Sequence, residues 1–351
     1  MKIAVVGLGN IGFNLYSHIK KFYPNSVIGV DINADLVKEL RNQGHRVTTD
    51  YRVLTGIDVW LLAPSTGEQG ENLFAALKEM LICPGALISI ESTLPPGTME
   101  LVRKYLEGKG YQCGKDVFLI HVPHRVMFGV DETVCDTPRV MGAFTKACLE
   151  KGREFYGSLV PQLIEVEDVR IAELSKVVEN VKRYVDVAFA QELYRYCVDH
   201  GLDFEELRLA VNSKSNVELL GTDWGIGGEC LPKDMRFLRK VCPSPLLEGA
   251  AKADQEYRER IVQQVGTNQV VLVKGLTYKP GVKDLKHSRG VELVRALEAA
   301  GNIVYVEDPL FTPEELEAAG FMAFRRTEGT NMEEWLILER DKALDCKTFY
   351  S

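Results

Sequence analysis

The octapeptide Gly-Gly-Glu-Cys-Leu-Pro-Lys-Asp at 227–234 frames one cysteine with flexible backbone, a cation and an acid. Lys233 nearby favours the thiolate of Cys230, and the glycines ahead of it let a substrate and main-chain amides approach closely. A free cysteine is ordinarily a small buried hydrophobe. The others, Cys83, Cys113, Cys135, Cys148, Cys197, Cys242 and Cys346, are scattered without Cys-x-x-Cys spacing. With no secretory leader in view, neither a disulfide framework nor a metal site is indicated, and a reducing cytoplasm is the expected location. The second chemical signal is Gly7-Leu8-Gly9-Asn10-Ile11-Gly12, which reads as a dinucleotide site. A nucleophilic cysteine and a redox dinucleotide together point to oxidation of an aldehyde through a thioester.

The elements that must carry these residues follow from periodicity. Residues 1–6 form a β-branched run entering the glycine loop, 11–22 an amphipathic helix, and 27–30 a second strand ending in Asp31. In such a unit the pyrophosphate rests on the helix amino end, and an acid about 20 residues further on binds the ribose hydroxyls. Asp31 would also repel a 2′-phosphate, so NAD is expected over NADP. Strands over 59–63, 86–91 and 117–122 and helices over 71–81 and 98–107 extend the sheet. Its carboxyl edge, where ligands bind in doubly wound sheets, puts Thr66, Thr93 and His124 near the nicotinamide. The run Ser-Thr-Leu-Pro-Pro-Gly at 92–97 reads equally well as a simple turn.

A helical pattern without internal glycine or proline runs over 169–200, capped by Asp168 and stopped by Gly201. At 1.5 Å per residue it is about 48 Å long, suited to tie domains together and to pair with a second subunit. Lys176 and Asn180 lie four apart on it, so both can point at one ligand atom. A short helix over 204–212 leads to the glycine-rich cysteine loop, followed by helices over 232–241 and 246–264. A second α/β unit begins with a strand at 269–276 and continues with a helix over 289–300 and a strand over 303–306. It lacks the glycine fingerprint, so it should bind something other than the dinucleotide. Closing strands are expected at 335–338 and 346–350. The fold class is therefore α/β, with two Rossmann-like doubly wound parallel-sheet domains (1–167 and 265–351) joined by a long helix within a helical central domain (168–264).

The 351 residues are 46% hydrophobic and 26% charged, as in an ordinary globular protein, and no apolar run is long enough for a membrane span. A net charge of -8 argues against general nucleic-acid affinity, so an anionic ligand must be held by local cations and helix amino ends.

Taken together, the motifs resemble the UDP-glucose and GDP-mannose dehydrogenases, which oxidise a sugar-nucleotide 6-hydroxyl to a carboxylate with two NAD. The matching stretches are Gly-Leu-Gly-Asn-Ile-Gly at 7–12, Glu-Ser-Thr-Leu-Pro-Pro-Gly-Thr at 91–98, Pro-His-Arg-Val at 123–126, Glu-Leu-Ser-Lys-Val-Val-Glu-Asn at 173–180, the Cys230 loop, and Tyr-Lys-Pro-Gly-Val-Lys-Asp at 278–284. Pro-His-Arg-Val looks most like the branch acting on UDP-N-acetylmannosamine, whereas Lys233-Asp234 looks more like the UDP-glucose branch. The resemblance implies that Asp234 and Thr93 hold a water near the 6-hydroxyl and that Cys230 forms the thiohemiacetal and thioester. It further implies that Lys176 and Asn180 stabilise the developing oxyanion. By the same resemblance Lys233 and Lys286 join the glycine loop in binding NAD, and His124, Arg125, Lys214, Gly227, Tyr278 and Lys279 meet the UDP-sugar. A homodimer through the long helix is expected.

Three departures mark this chain: His124 where the family has a glutamate thought to assist hydrolysis, Lys286 where an arginine is usual, and a shortened tail lacking a helix between the last two strands. Two other readings stay open, a sugar-nucleotide-binding regulator descended from such enzymes and a two-electron hydroxyacid dehydrogenase, which has no use for Cys230.

Overall fold

The structure is a computed structural model that describes residues 1–125, 136–279, 281–325, 335–340, 342–344 and 347–348. The chain divides into two compact units, Met1–Glu179 and Asn180–Ser351, and the boundary falls inside one continuous helix.

In the first unit, alternation along a single strand decides which face each residue covers. Strand β1 (Ile3–Val6) sends Ile3 and Val5 into one apolar cluster with Leu15, Tyr16 and Ile19, and Ala4 and Val6 into another with Trp60, Leu62 and Leu73. Helices on both faces supply those partners: α1 (Asn10–Phe22), α2 (Ala34–Asn42), α3 (Glu71–Glu79), α4 (Thr98–Gly108) and α5 (Lys146–Tyr156). Because both faces are covered, β4 (Val59–Leu62) and β5 (Ala86–Ile90) are buried along their whole length, which is why they read as continuous apolar runs. Truncating a residue such as Leu15 to alanine would cost about 2–5 kcal/mol.

With β2 (Val27–Val30), β3 (Val47–Thr48), β6 (Val117–His121), β7 (Arg139–Ala143) and β8 (Leu163–Val166), the strand order is β3-β2-β1-β4-β5-β6-β7-β8. All described pairings are parallel except β6 with β7. The parallel part thus reverses direction of winding at β1 and β4, the switch point where a crevice opens at the carboxyl edge.

Helix α6 (Val169–His200) runs across the unit boundary over the span its sequence predicts. The second unit adds α7 (Phe204–Asn212), α8 (Cys230–Val241), α9 (Pro245–Val265) and a sheet in the order β11-β10-β9-β12-β13. Its strands are β9 (Val270–Lys274), β10 (Ile303–Glu307), β11 (Met322–Ala323), β12 (Leu336–Glu339) and β13 (Lys347–Thr348), the last antiparallel to β12. Helices α10 (Arg289–Ala299) and α11 (Pro313–Ala318) accompany them, and Tyr194, Tyr257, Trp224, Val273 and Leu297 share one core. Asp203 caps α7, and Thr312 with Glu315 forms a capping box on α11.

Candidate functional site

The glycine loop between β1 and α1 explains each of its glycines separately. Gly7 has φ 82°, and a Cβ there would lie 2.7 Å from Pro64 Cα; a Cβ on Gly12 would lie 1.7 Å from the Gly7 carbonyl oxygen. Those two positions are closed by the protein's own backbone. Gly9 differs, since a Cβ there would meet nothing within 4 Å. The open position stands at the amino end of α1, where unpaired amides and the helix dipole favour a pyrophosphate, so the loop fits a dinucleotide.

Asp31 ends β2 and ties the loop down: Leu8 N donates to Asp31 Oδ2 at 2.6 Å, and Asn33 N to Oδ1 at 2.8 Å. Carboxylate oxygens accept more than one bond each, so capacity remains for ribose hydroxyls. Beside it stands Ile32, 89% exposed, an apolar surface suited to an adenine face. Sequence reasoning passed over Ile32, although an apolar residue directly after the ribose acid was the available signal.

At the ends of β4 and β5, Thr66 Oγ1 donates to the Thr93 carbonyl at 3.0 Å and Ser92 Oγ to that of Pro64 at 2.5 Å. The loops expected near the nicotinamide are thus laced together, while Thr93 itself stays half-buried. His124 follows β6 and is buried, with Nε2 3.4 Å from Glu91 Oε2. Burial first, then the charges of Arg139 and Lys176, hold its imidazole well below the usual histidine range, so it is neutral. Arg125, expected at the substrate, pairs through Nε with Glu179 at 2.7 Å and donates to the Pro138 carbonyl; Lys176 Nζ lies 3.7 Å from the same Glu179. Val126, Pro280, Cys135 and Cys346 lie outside the described residues.

In the second unit Cys230 is exposed and is the first residue of α8, which begins earlier than the expected start at 232. Pro232 falls within the first turn, where a missing N–H costs no helical bond. The helix amino end then brings its partial positive charge to the sulfur. One turn on, at the i+4 position, Asp234 is fully buried and accepts from Asn180 Nδ2 at 2.5 Å; Lys233 Nζ lies 3.5 Å from its other oxygen. Lys233 therefore leans on Asp234 and on the Phe237 ring, 5.3 Å away, and is only 16% exposed.

The loop preceding Cys230 is clamped from two sides. Ile226 N donates to Asp254 Oδ1 at 2.7 Å, Arg289 Nε to the Ile226 carbonyl at 2.9 Å, and Gly228 N to the His287 carbonyl at 2.9 Å. A Cβ on Gly228 (φ 78°) would meet the Tyr278 ring at 3.3 Å, so the tyrosine lies against the cysteine loop. Burial and then the charges of Asp284 and Cys230 raise the Tyr278 phenol. Gly227 packs under Arg289, Lys279 is half-buried, and Lys214 and Lys286 are exposed. The structure thus joins Asn180, Lys233 and Asp234 in one unit, and joins Thr66 with Thr93 in the other. Lys214 stands apart on the exposed stretch after α7.

The central-domain model of the UDP-glucose/GDP-mannose dehydrogenase family matches residues 170–253, and that family's UDP-binding-domain model matches 272–339. The chain belongs to this family. It is accordingly an enzyme of the nucleotide-sugar dehydrogenase class. A UDP-N-acetyl-D-mannosamine dehydrogenase of Campylobacter jejuni is 28% identical over 352 residues, covering 87% of this chain and 86% of the relative. An NDP-N-acetyl-D-galactosaminuronic acid dehydrogenase of Ralstonia nicotianae is 28% identical over 350 residues, covering 87% and 82%. The solved UDP-D-ManNAc dehydrogenase of Pyrococcus horikoshii shares the fold with TM-score 0.84 at 24% identity, covering 97% of this chain and 88% of that one. The similarity includes the branch named for UDP-N-acetylmannosamine, as Pro-His-Arg-Val suggests. A nicotinamide dinucleotide is the cofactor that a family of this type implies.

Proposed function

We propose that the chain oxidises the 6-hydroxyl of a UDP-sugar to the carboxylate with two NAD, through a thiohemiacetal and a thioester on Cys230. The observation that carries this reading is Cys230 exposed on the first turn of α8, with the buried Asp234 one turn on and held by Asn180. A thiol in that place is activated for attack, and a carboxylate so fixed can accept a proton through a water. NAD, held by the loop at 7–12 and by Asp31, would take up the two hydrides.

The residues supply the rest. Asp234 takes the 6-hydroxyl proton through a water that Thr93 helps to hold. Cys230 sulfur bonds to the aldehyde carbon, giving a thiohemiacetal whose oxyanion Lys176 and Asn180 stabilise, a contribution of about 3 kcal/mol for one such donor. After the second oxidation, water adds to the thioester carbonyl; the C–S bond breaks and Cys230 leaves as thiolate. Lys233 and Lys286 serve the dinucleotide, and Arg125, Lys214, Gly227, Tyr278 and Lys279 the UDP-sugar.

UDP-N-acetylmannosamine is the first substrate to offer, supported by the Campylobacter relative. Two NADH should form per sugar oxidised, and Cys230→Ser should stop the reaction at the aldehyde; one NADH and no acid from the wild type would refute the scheme. The acid product suits incorporation into a glycan. The free cysteines among the described residues suit a reducing cytoplasm. We also infer a homodimer. A groove of 460 Å³ lies along α6 and α9, with Val185, Ala188 and Pro245 in its wall and Phe189 and Leu246 exposed at 60% and 65%.

A further inference from the structure

The loop before Cys230 is threaded between the side chains of Arg258 and Arg289, to which the proposed chemistry gives no part. A Cβ on Gly225 (φ 119°) would lie 2.7 Å from Arg258 Cδ, and one on Gly227 would lie 3.1 Å from Arg289 Cγ. These glycines make room for the aliphatic stems, and Ile226 between them is buried. Both main-chain groups of Ile226 are taken: its N–H donates to Asp254 Oδ1 at 2.7 Å, and its carbonyl accepts from Arg289 Nε at 2.9 Å. Asp254, buried on α9, also accepts from Arg258 Nε at 3.2 Å and from Gln191 Nε2 at 3.1 Å. Arg289 Nη1 donates to Glu292 in the first turn of α10, and Arg258 Nη1 lies 3.8 Å from the same carboxylate. Asp254, Arg258, Glu292, Arg289 and the Ile226 peptide groups thus close a ring.

Arg289 stands at a junction in that ring. It opens α10, directly after the stretch that begins at Gly275 and carries Tyr278 and Lys279, the groups proposed for the UDP-sugar. Other contacts tie the same stretch to the cysteine loop. Trp224 Nε1 donates to the Gly275 carbonyl at 2.6 Å, Gly228 N donates to the His287 carbonyl at 2.9 Å, and a Cβ on Gly228 would meet the Tyr278 ring at 3.3 Å. Asp223 and His287 flank these contacts with φ 50° and 55°, a region that residues other than glycine hold only where their surroundings dictate it. Here Tyr257 OH donates to the Asp223 carbonyl at 2.9 Å, and the His287 carbonyl is held by Gly228. A main chain fixed as far as residue 228 delivers Cys230 to the amino end of α8.

We propose that Arg289 is a positioning residue: by holding the Ile226 carbonyl it makes the cysteine loop one body with the nucleotide-binding stretch, so that UDP bound there fixes where the Cys230 sulfur stands. The inference rests on the reading of the second unit as the UDP site and of Cys230 as the nucleophile. The guanidinium serves two partners at once, Ile226 through Nε and Glu292 through Nη1. A lysine in its place keeps a cation beside Glu292 but has carbon where Nε stands.

The test is hydrogen exchange of the full chain with UDP as the probe, in wild type and in Arg289→Lys. Exchange needs neither sugar nor NAD, so it stands apart from the four-electron reading, which NADH counted per UDP-N-acetylmannosamine checks by itself. At about 100 times its Kd, UDP should slow the wild-type amides of Ile226 and Gly228 by about 10-fold or more. In Arg289→Lys those amides should exchange about 10- to 100-fold faster without ligand, the equivalent of one charge-assisted hydrogen bond. UDP should then slow them by less than about threefold, while calorimetry finds it bound within about threefold of the wild-type affinity. With two NADH established for the wild type, kcat should fall about 10- to 100-fold and KM change by less than about threefold, as for a displaced nucleophile. Glu292→Gln covers the case in which Arg289→Lys fails to fold: it frees one end of the guanidinium and should speed the same amides by about 3- to 10-fold. A merely structural arginine would lower thermal stability and speed exchange throughout the unit with the UDP effect intact. That result, wild-type exchange at Ile226 and Gly228 in both variants, or an unchanged kcat would overturn the proposal. UDP that binds the wild type without slowing these amides overturns it alone, whereas failure of UDP to bind at all overturns the reading of the UDP site with it.

Discussion

Gly9 and Gly12 look alike in the fingerprint, yet the structure separates them, and substitution should do so too. A Cβ on Gly12 collides with the Gly7 carbonyl oxygen at 1.7 Å, so Gly12→Ala must push α1 off the sheet and should destabilise the fold by about 1–3 kcal/mol, the usual range for overpacking. Gly9 has φ -62° and ψ -173°, a conformation any L residue adopts, and open space around its Cβ. Gly9→Val should therefore leave the apoprotein as stable as before, within about 1 kcal/mol. Its side chain would instead fill the space where the pyrophosphate meets the loop amides. Charge-assisted bonds contribute about 1.5–3 kcal/mol each, so losing even one or two weakens NAD binding by about 100-fold. The assay is thermal unfolding with and without NAD. At a concentration of about 100 times Kd the ligand stabilises the wild type by about 2.7 kcal/mol; a 100-fold weaker variant at the same concentration gains only about 0.4 kcal/mol. Undiminished stabilisation of Gly9→Val by NAD would refute the placement of the pyrophosphate.

Two shorter predictions concern acid stability and assembly. His121 is fully buried, donates from Nδ1 to the Ile90 carbonyl at 2.9 Å, and is held down to about 3, chiefly by burial. His124 is displaced in the same direction. Since the folded values lie below the unfolded one near 6.5, the stability these rings contribute is complete above that pH. It is lost as pH falls, by at most about 1.4 kcal/mol per pH unit for each ring. Urea midpoints measured from pH 7.5 to 5.5 should fall, and fall less in His121→Gln; a flat profile would contradict neutral burial. Phe189→Glu should convert a dimer to monomers in sedimentation, with an unchanged fold by circular dichroism, whereas an unaltered sedimentation coefficient would remove the α6 and α9 groove as the interface.

The long helix was legible to the residue because Asp168, Gly201 and the absence of internal glycine or proline all bear on the same two ends. Strands β4 and β5 were legible because burial on both faces leaves a continuous apolar run. Helix α8 was misread by two residues because proline, a usual helix opener, stands inside its first turn. The difference matters, since it moves Cys230 from a loop onto a helix amino end. Elements β7, α5 and β8 drew no expectation, and with them the sequence hid Arg139 and Tyr156, which both donate to the Glu91 carboxylate. Nothing local marks one arginine between Pro138 and Val140 as the partner of Glu91, because the pairing exists only through sheet register and helix packing. His124 could be seen as an oddity in its motif, but its neighbour could not.

The two sheets repeat one local device and differ in what it leaves open. In the first unit Leu8 N donates to Asp31 at 2.6 Å; in the second Leu276 N donates to Asp308 at 2.6 Å, and each acid follows the next strand of its sheet. Gly7 and Gly275 both have positive φ, 82° and 90°. A Cβ on Gly12 would meet the Gly7 carbonyl oxygen, and one on Gly290 would meet that of Gly275 at 3.1 Å. The helix is therefore packed against the strand end by a glycine in both cases. Only residues 7–9 separate strand from helix in the first unit, so a phosphate arriving there meets helix amides directly. In the second, residues 275–288 intervene, and Ser288 caps α10 by accepting from Gly290 N. Its amino end is partly satisfied already, and the intervening segment offers Tyr278 and Lys279 instead. Side-chain cations and a phenol can hold phosphates without close backbone approach, which is why the second unit can be a nucleotide site with no glycine fingerprint to announce it.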